Sequence, residues 1–241
     1  MPDTAPTRGL VIAVLGAEST GKSCLTQALA PRLTALTGLA CHIVPEYLRE
    51  WCDHHQRLPR ESDQAHIAHT QAQRIAEAAQ SAALVLADTT PLMTAVYHRH
   101  IFASRALDAE ALAWQRQQVD FHLLMALDLP WQADGFLRDG PQVRAPVDAL
   151  LREGLIGAGL PFAVVAGQGE VRTDAALDAL SPLLRQRWPA RASGLFSRLS
   201  AQEAAQPRWR ALCSDCDDPA CEHAAWQQRQ AGGAVASMQR G

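Results

Sequence analysis

Early in the chain, Gly16-Ala17-Glu18-Ser19-Thr20-Gly21-Lys22-Ser23 fits the pattern G-x-x-x-x-G-K-[ST] without a gap. Each residue type has a task in phosphate chemistry. The glycines let the backbone curl so that successive N–H groups face one anion, and the helix that follows adds its positive end. Lys22 offers a compact charge to the β- and γ-phosphates of ATP, and Ser23 offers a hydroxyl to Mg²⁺. The cradle is read as Gly16, Glu18, Ser19, Thr20, Gly21, Lys22, Ser23 and Cys24. A chance glycine turn would also fit the letters, so the pattern needs a buried strand before it and a helix after it.

Two carboxylates stand at comparable places further on. Asp88 closes the apolar run in LVLADTTP, the arrangement that holds Mg²⁺ in many nucleotide-hydrolysing and nucleotide-transferring folds. Its plainer alternative is a helix cap, because Pro91 follows closely. Glu46 follows the run ending at Val44, where a carboxylate would face the γ-phosphate as general base or as anchor for an acceptor hydroxyl. A solvated glutamate is the alternative there. A third group lies on one stretch, Leu129-Pro130-Trp131-Gln132-Ala133-Asp134-Gly135 with Arg138 and Arg144. Arginines there suit a lid that closes over ATP, Trp131 a flat face for a base or cationic ring, and Asp134 a sugar hydroxyl or that cation.

These residues need a scaffold that brings them to one edge. Leu10–Leu15, 40–44, 83–87, 121–127 and 161–166 read as five short apolar strands, and helix-forming stretches 22–36, 62–81, 91 onward, 108–119, 149–157 and 173–187 alternate with them. Thr90 and Asp108 are read as helix caps. Pro45–Arg60 and Pro130–Pro146 read as irregular. The alternation implies an α/β fold, a P-loop NTPase with a five-stranded parallel sheet, helices on both faces and right-handed crossovers. Ligands of such sheets bind beyond the carboxyl ends of the strands, which is where Gly16, Glu46, Asp88 and Trp131 would stand. The composition shifts after Trp188, so residues 9–189 are read as the kinase-like domain and 190–241 as a linker and a small Cys/His-rich tail.

GAESTGKS behind its apolar strand, PEYLRE after the second strand, ADTT after the third and LPWQADGFLRDG after the fourth together resemble the ribosylnicotinamide kinase domain of the NadR-type NAD-biosynthesis proteins. The resemblance covers about residues 9–187. Its most specific part is the Glu46-Tyr47 pair combined with W-x-A-D-G at 131–135. It implies a nucleoside-kinase-like fold and transfer of the ATP γ-phosphate to the 5′-hydroxyl of nicotinamide riboside, giving nicotinamide mononucleotide. On that resemblance Lys22 and Ser23 serve ATP and Mg²⁺, and Glu46 and Asp88 approach the acceptor hydroxyl. Tyr47, Trp131 and Asp134 line the nucleoside pocket, while Arg138 and Arg144 belong to the lid. A positively charged pyridinium also suits an aromatic face with a carboxylate beside it. Longer members carry a helix-turn-helix and an adenylyltransferase domain ahead of the kinase. The short stretch before the first strand leaves neither of them, nor transcriptional repression or dinucleotide synthesis, expected here. Another small nucleoside or metabolite kinase, and a P-loop ATPase switch whose tail binds a partner, are the alternative readings.

Composition narrows the rest. The 241 residues are 48% hydrophobic and 20% charged with a formal net charge of −3, an ordinary globular balance. That charge does not suit a dedicated nucleic-acid binder, and the partner expected is a small-molecule nucleoside. The run Leu10–Leu15 falls far short of the roughly 20 apolar residues of a membrane span, and no secretory signal is visible, so the expected compartment is the cytoplasm. Oligomeric state is left open by the sequence. Lys22 is the one lysine; the other 21 basic side chains are arginine. Histidines such as His66 and His69, and Cys24, Cys41 and Cys52, complete no ligand set. Cys213, Cys216, Cys221 and His223 do present three thiols and an imidazole within eleven residues, which suits a structural Zn²⁺. Protein purified without chelator should then carry about one equivalent of zinc, lost in Cys213→Ser. Clearly less than one equivalent in the parent, by atomic emission, would end the zinc reading.

Overall fold

Six consecutive buried residues, Leu10 to Leu15, form the central strand β1, and its neighbours are equally apolar. A strand hydrophobic at every position must be covered on both faces, which a parallel sheet with crossover helices achieves. The computed structural model describes residues 8–133 and 140–189. Asp134, Arg138, Cys213, Cys216, Cys221 and His223 lie outside the described residues, as does the whole of the 190–241 segment.

The strands are β1 (Leu10–Leu15), β2 (Cys41–Val44), β3 (Leu84–Asp88), β4 (Phe121–Met125) and β5 (Phe162–Val165). The helices are α1 (Lys22–Thr37), α2 (Tyr47–His55), α3 (Glu61–Ser81), α4 (Pro91–Phe102), α5 (Asp108–Gln118), α6 (Arg144–Gly157) and α7 (Glu170–Arg187), with one 3₁₀ turn at Pro141–Val143. The sheet runs β2-β3-β1-β4-β5, every pair parallel. The expected five-stranded parallel α/β architecture is therefore present.

Alternation along each strand sorts its side chains between two layers. Val11, Ala13 and Leu15 join Val85, Ala87 and Leu124 in a core with Ile75 of α3, Leu92 and Met93 of α4, and Val147, Leu151 and Leu155 of α6. The intervening residues Leu10, Ile12 and Val14 are just as buried and face the other way. On that side α1 packs against α7 as well as the sheet. No described helix is long and apolar enough to cross a membrane.

Register places the chemistry. Val14 pairs with Asp88 and Leu15 with Leu124, while Val44 pairs with Ala87, so β1, β2 and β3 end at one edge. The phosphate loop, Glu46 and Asp88 leave the sheet there together.

Four local expectations change. The stretch 45–60 contains α2, because Leu48, Trp51 and Cys52 recur at helical spacing and seat Trp51 and Cys52 against Ile67 of α3. Helix α6 begins at Arg144, ahead of the expected 149, and tolerates Pro146 because its first turn needs no N–H from that residue. Thr90 occupies the N-cap position of α4 with Pro91 first in the helix, yet its hydroxyl makes no capping bond. The N-cap of α5 is Leu107, so Asp108 contributes charge in the first turn instead.

Leu124 is fully buried on β4 and packs in the larger core. Leu124→Ala should lower the free energy of unfolding by about 2–5 kcal/mol, measured by urea denaturation. A loss below about 1 kcal/mol would contradict this placement of the core.

Candidate active site

Gly16 and Gly21 fix the shape of the phosphate loop. Gly21 has φ of 80°, and a Cβ there would lie 3.2 Å from a Leu129 methyl. At Gly16 a Cβ would come within 2.8 Å of Met125 Cβ and 2.9 Å of Thr20 Oγ1. Both positions exclude side chains, the first by backbone conformation and both by close approach. Ser19 also has a positive φ of 52°. The loop then enters α1 directly, Gly21 standing at its N-cap without a side-chain cap. The orphan N–H groups of that first turn open toward the cleft.

Lys22 Nζ donates to the carbonyls of Gly16 at 2.9 Å and Ala17 at 3.0 Å. Thr20 Oγ1 donates to the same Ala17 carbonyl at 2.8 Å. The loop thus turns carbonyls toward its own donors and leaves backbone N–H groups for a ligand.

Across from it stand the two carboxylates. Asp88 is 4% exposed, and its Oδ1 is buried with no hydrogen-bond partner among the described residues. The chain turns sharply after it through Thr89, whose φ of 73° is rare for a β-branched residue. Such strain is found where surrounding structure holds a functional geometry. Glu46 keeps about 20% side-chain exposure toward the cleft and pairs with Arg49 Nε at 3.2 Å. Desolvation is the largest influence on Glu46 and pushes its carboxyl above the ordinary 4.5, and Asp88 adds to that push. Lys22 and Arg49 pull the other way without reversing it.

Gln71 of α3 holds Glu46 in place. Its buried amide accepts from the Tyr47 N–H at 2.8 Å and donates to the Pro45 carbonyl at 3.3 Å, straddling Glu46. Neither Gln71 nor Arg49 was singled out from the sequence. Arg49 lies three residues from Glu46, a helical spacing hidden while α2 was read as irregular.

Loop, carboxylates and helices enclose one cleft of about 940 Å³. Its lining takes in Glu18 through Cys24, Glu46, Arg49, Gln64, Gln71 and Asp88, together with the apolar side chains of Leu48, Met93, Tyr97, Ile101 and Phe102. That volume is ample for two small ligands end to end. The structure therefore brings Lys22, Ser23, Cys24, Glu46 and Asp88 together. It does not bring Tyr47 or Trp131 into this lining. Tyr47 sits beneath the Arg74 guanidinium, 4.4 Å from its ring centre, and edge-on to His66. Trp131 Nε1 donates to Glu18 Oε2 at 3.2 Å, on the phosphate-loop side. The aromatic residues in the lining are Tyr97 and Phe102. Arg144 is the first residue of α6, not a loop residue, and is buried with Nε and Nη2 lacking a hydrogen-bond partner among the described residues.

Ser23 and the unpartnered Asp88 Oδ1 fit Mg²⁺, a cation that takes one or two protein oxygens and keeps several waters. No cluster of three or more His, Cys, Asp or Glu side chains suited to a metal occurs among the described residues.

A family model described as an AAA domain matches residues 11–172. No curated protein sequence matches the chain. Among solved structures, a NadR protein in complex with NR aligns over 72% of this chain and 50% of its own, at 18% identity and a TM-score of 0.56. A NadR protein in complex with NAD and AMP-PNP aligns over 72% and 49%, at 20% identity and a TM-score of 0.55. The chain thus spans about half the length of these two proteins, and the likeness is one of fold.

Because Glu46 holds its proton more tightly when folded, the native state binds more protons than the unfolded chain above pH 4.5. Stability from this group therefore falls as pH rises through the folded value. Relative to the parent, Glu46→Gln should gain thermal stability on going from pH 4 to pH 8. A melting-temperature difference that is flat across that range would contradict the buried setting of Glu46.

Proposed function

The chain belongs to the AAA-domain family, and on that footing we propose that it is an ATP-dependent kinase that phosphorylates the 5′-hydroxyl of nicotinamide riboside, giving nicotinamide mononucleotide. The observation that supports the reading is that Lys22 and the phosphate loop share one cleft with Glu46 and Asp88, and that this cleft is large enough for an acceptor and carries the aromatic rings of Tyr97 and Phe102 in its lining. A hydrolase that only needs water has no use for such a cleft; a phosphotransferase places its acceptor there. The fold likeness to a NadR protein in complex with NR, and the motifs at 46–47 and 131–135, favour that nucleoside over others.

The roles follow from position. Backbone N–H groups from Glu18 to Ser23 and the Lys22 ammonium hold the polyphosphate of ATP and offset its charge. Ser23 and Asp88 would hold Mg²⁺, which when bound neutralises phosphate oxygens. Glu46, with its raised affinity for a proton, receives the hydrogen of the acceptor hydroxyl as its oxygen attacks the γ-phosphorus and the bond from that phosphorus to the bridging oxygen breaks, with ADP leaving. Arg49 steadies Glu46. The apolar part of the lining packs the base, where Tyr97 and Phe102 offer ring faces to a pyridinium. Arg144, with two guanidinium nitrogens lacking partners among the described residues, and Arg138 are proposed as the cations that meet the transferred charge. Tyr47, Trp131 and Asp134 are retained as nucleoside-pocket residues only on the strength of the motif. Residues 9–189 are the proposed catalytic unit, acting in the cytoplasm, with Zn²⁺ on the Cys213–His223 cluster as a separate structural proposal.

Purified protein with ATP and Mg²⁺ should phosphorylate nicotinamide riboside in preference to a panel of neutral nucleosides. Lys22→Ala and Glu46→Gln should each lower turnover by about 10²-fold or more while circular dichroism stays unchanged. Turnover of a different nucleoside alone would reassign the substrate, and ATP hydrolysis with no acceptor would reject the kinase reading.

A further inference from the structure

Phosphate recognition depends on which way the peptides of the loop point, and one of them is held from outside the loop. The Thr20 carbonyl accepts a hydrogen bond from Arg172 Nη1. Arg172 lies in the first turn of α7, is 4% exposed, and reaches Asp128 Oδ1 with its other terminal nitrogen. Asp128, just beyond β4, also accepts from the Gly167 N–H through Oδ2 at 2.6 Å. Although burial pushes the Asp128 carboxyl up, the Gly167 and Arg172 hydrogen bonds and the Arg172 charge hold it below the usual carboxylate range.

A trans peptide carries its C=O and its N–H on opposite sides. With the Thr20 oxygen pulled toward Arg172, the N–H of Gly21 points the other way, to the side where Lys22 and the first turn of α1 open. Gly21 also has a positive φ of 80°, and a Cβ there would lie 3.2 Å from a Leu129 methyl and 3.4 Å from Arg172 Nη1.

Two neighbours of Thr20 are held from the same segment. Trp131 Nε1 bonds the Glu18 carboxylate, while the Ser19 hydroxyl accepts from the Gln132 N–H at 3.1 Å and donates to the Gln132 carbonyl at 2.9 Å. Three successive loop residues, Glu18, Ser19 and Thr20, are thus tied to the stretch that follows β4, the last of them through Arg172.

We propose that Arg172, backed by Asp128, is a positioning residue that aims the Gly21 N–H at the phosphates and so sets the affinity for a nucleoside triphosphate without touching the acceptor. The inference rests on the reading of this cleft as a triphosphate site. The planar fork of arginine is required, because one side chain must serve two acceptors on different elements at once.

The test is titration of a fluorescent N-methylanthraniloyl ATP into the full chain, with Mg²⁺, for the parent, Asp128→Asn, Arg172→Met and the double variant, each at a temperature where circular dichroism shows it folded. The two single variants should raise Kd by about tenfold or more, the scale of losing one charge-assisted hydrogen bond. The double variant removes both charges together. It should recover the parental melting temperature more nearly than Arg172→Met does, yet keep the weakened Kd, because the Thr20 carbonyl is still unheld. In steady-state assays KM for ATP should rise while KM for the nucleoside stays at the parental value.

A Kd that returns to the parental value in the double variant assigns the pair to stability alone and overturns the proposal. Unchanged Kd in Asp128→Asn and Arg172→Met overturns it too. Should Arg172→Met fail to fold, Asp128→Asn alone decides, since its partly exposed side chain is replaced at constant shape. A parent that binds no fluorescent ATP rejects the triphosphate reading beneath both conclusions, a result separate from parental binding that the variants leave intact.

Discussion

A phosphate cradled by main-chain N–H groups is held by atoms that every sequence possesses, so recognition rests on orientation. The constraint that governs this protein is therefore where the carbonyls of residues 16–21 are made to point. Lys22 and Thr20 hold the carbonyls of Gly16 and Ala17 from within the loop, and Arg172 takes that of Thr20 from outside. Once those oxygens are committed, the N–H groups on the opposite sides of the same peptides have one direction left. The glycines are consequences of this crowding: Met125 and Thr20 press on Gly16, and Leu129 and Arg172 on Gly21.

The sheet extends the same constraint to the carboxylates. Parallel strands in register deliver their carboxyl ends to one edge, and Val14 pairing with Asp88 sets the carboxylate beside the exit of β1. Glu46 reaches that edge from β2, one strand further out, and would swing freely on its loop were it not straddled by Gln71. The two acids then differ by environment. Asp88 is enclosed with one oxygen unpartnered among the described residues, suited to a cation, while Glu46 lies largely desolvated at the cleft wall with an upward-shifted carboxyl, suited to a proton. Two similar side chains can divide two tasks in this way without any difference in their own chemistry.

Features whose signal is local are legible in the sequence itself. An apolar run that ends in glycine, or in a single acid, marks both a buried strand and the point where chemistry can begin; β1, β3, Gly16 and Asp88 all follow from that contrast. Helix α2 escaped because nine residues hold one apolar stripe, Leu48, Trp51 and Cys52, among charges and histidines that read as irregular surface. Gln71 and Arg172 escaped for a different reason. Gln71 is 24 residues from Tyr47 and Arg172 is 152 from Thr20, and each looks like an ordinary polar residue of a helix until the fold supplies its partner. Trp131 lies between these cases. Its stretch reads from the sequence as a nucleoside-pocket candidate, whereas its bond to Glu18 depends on how that stretch returns over the loop.

The basic residues show the same division between local and long-range roles. A chain that uses arginine 21 times retains a single lysine, inside the phosphate loop. There the charge must pass along a slender stem beneath curled backbone and present itself as a point to more than one oxygen, and a guanidinium is too broad for that path. On the other side of the same loop the requirement is reversed. Arg172 must reach a carbonyl and a carboxylate on separate elements simultaneously, and only a rigid fork with several donors does so from one buried side chain. Lysine at 22 and arginine at 172 thus answer to geometry as well as to charge, and exchanging them would release the carbonyls of Gly16, Ala17 and Thr20 that each now holds.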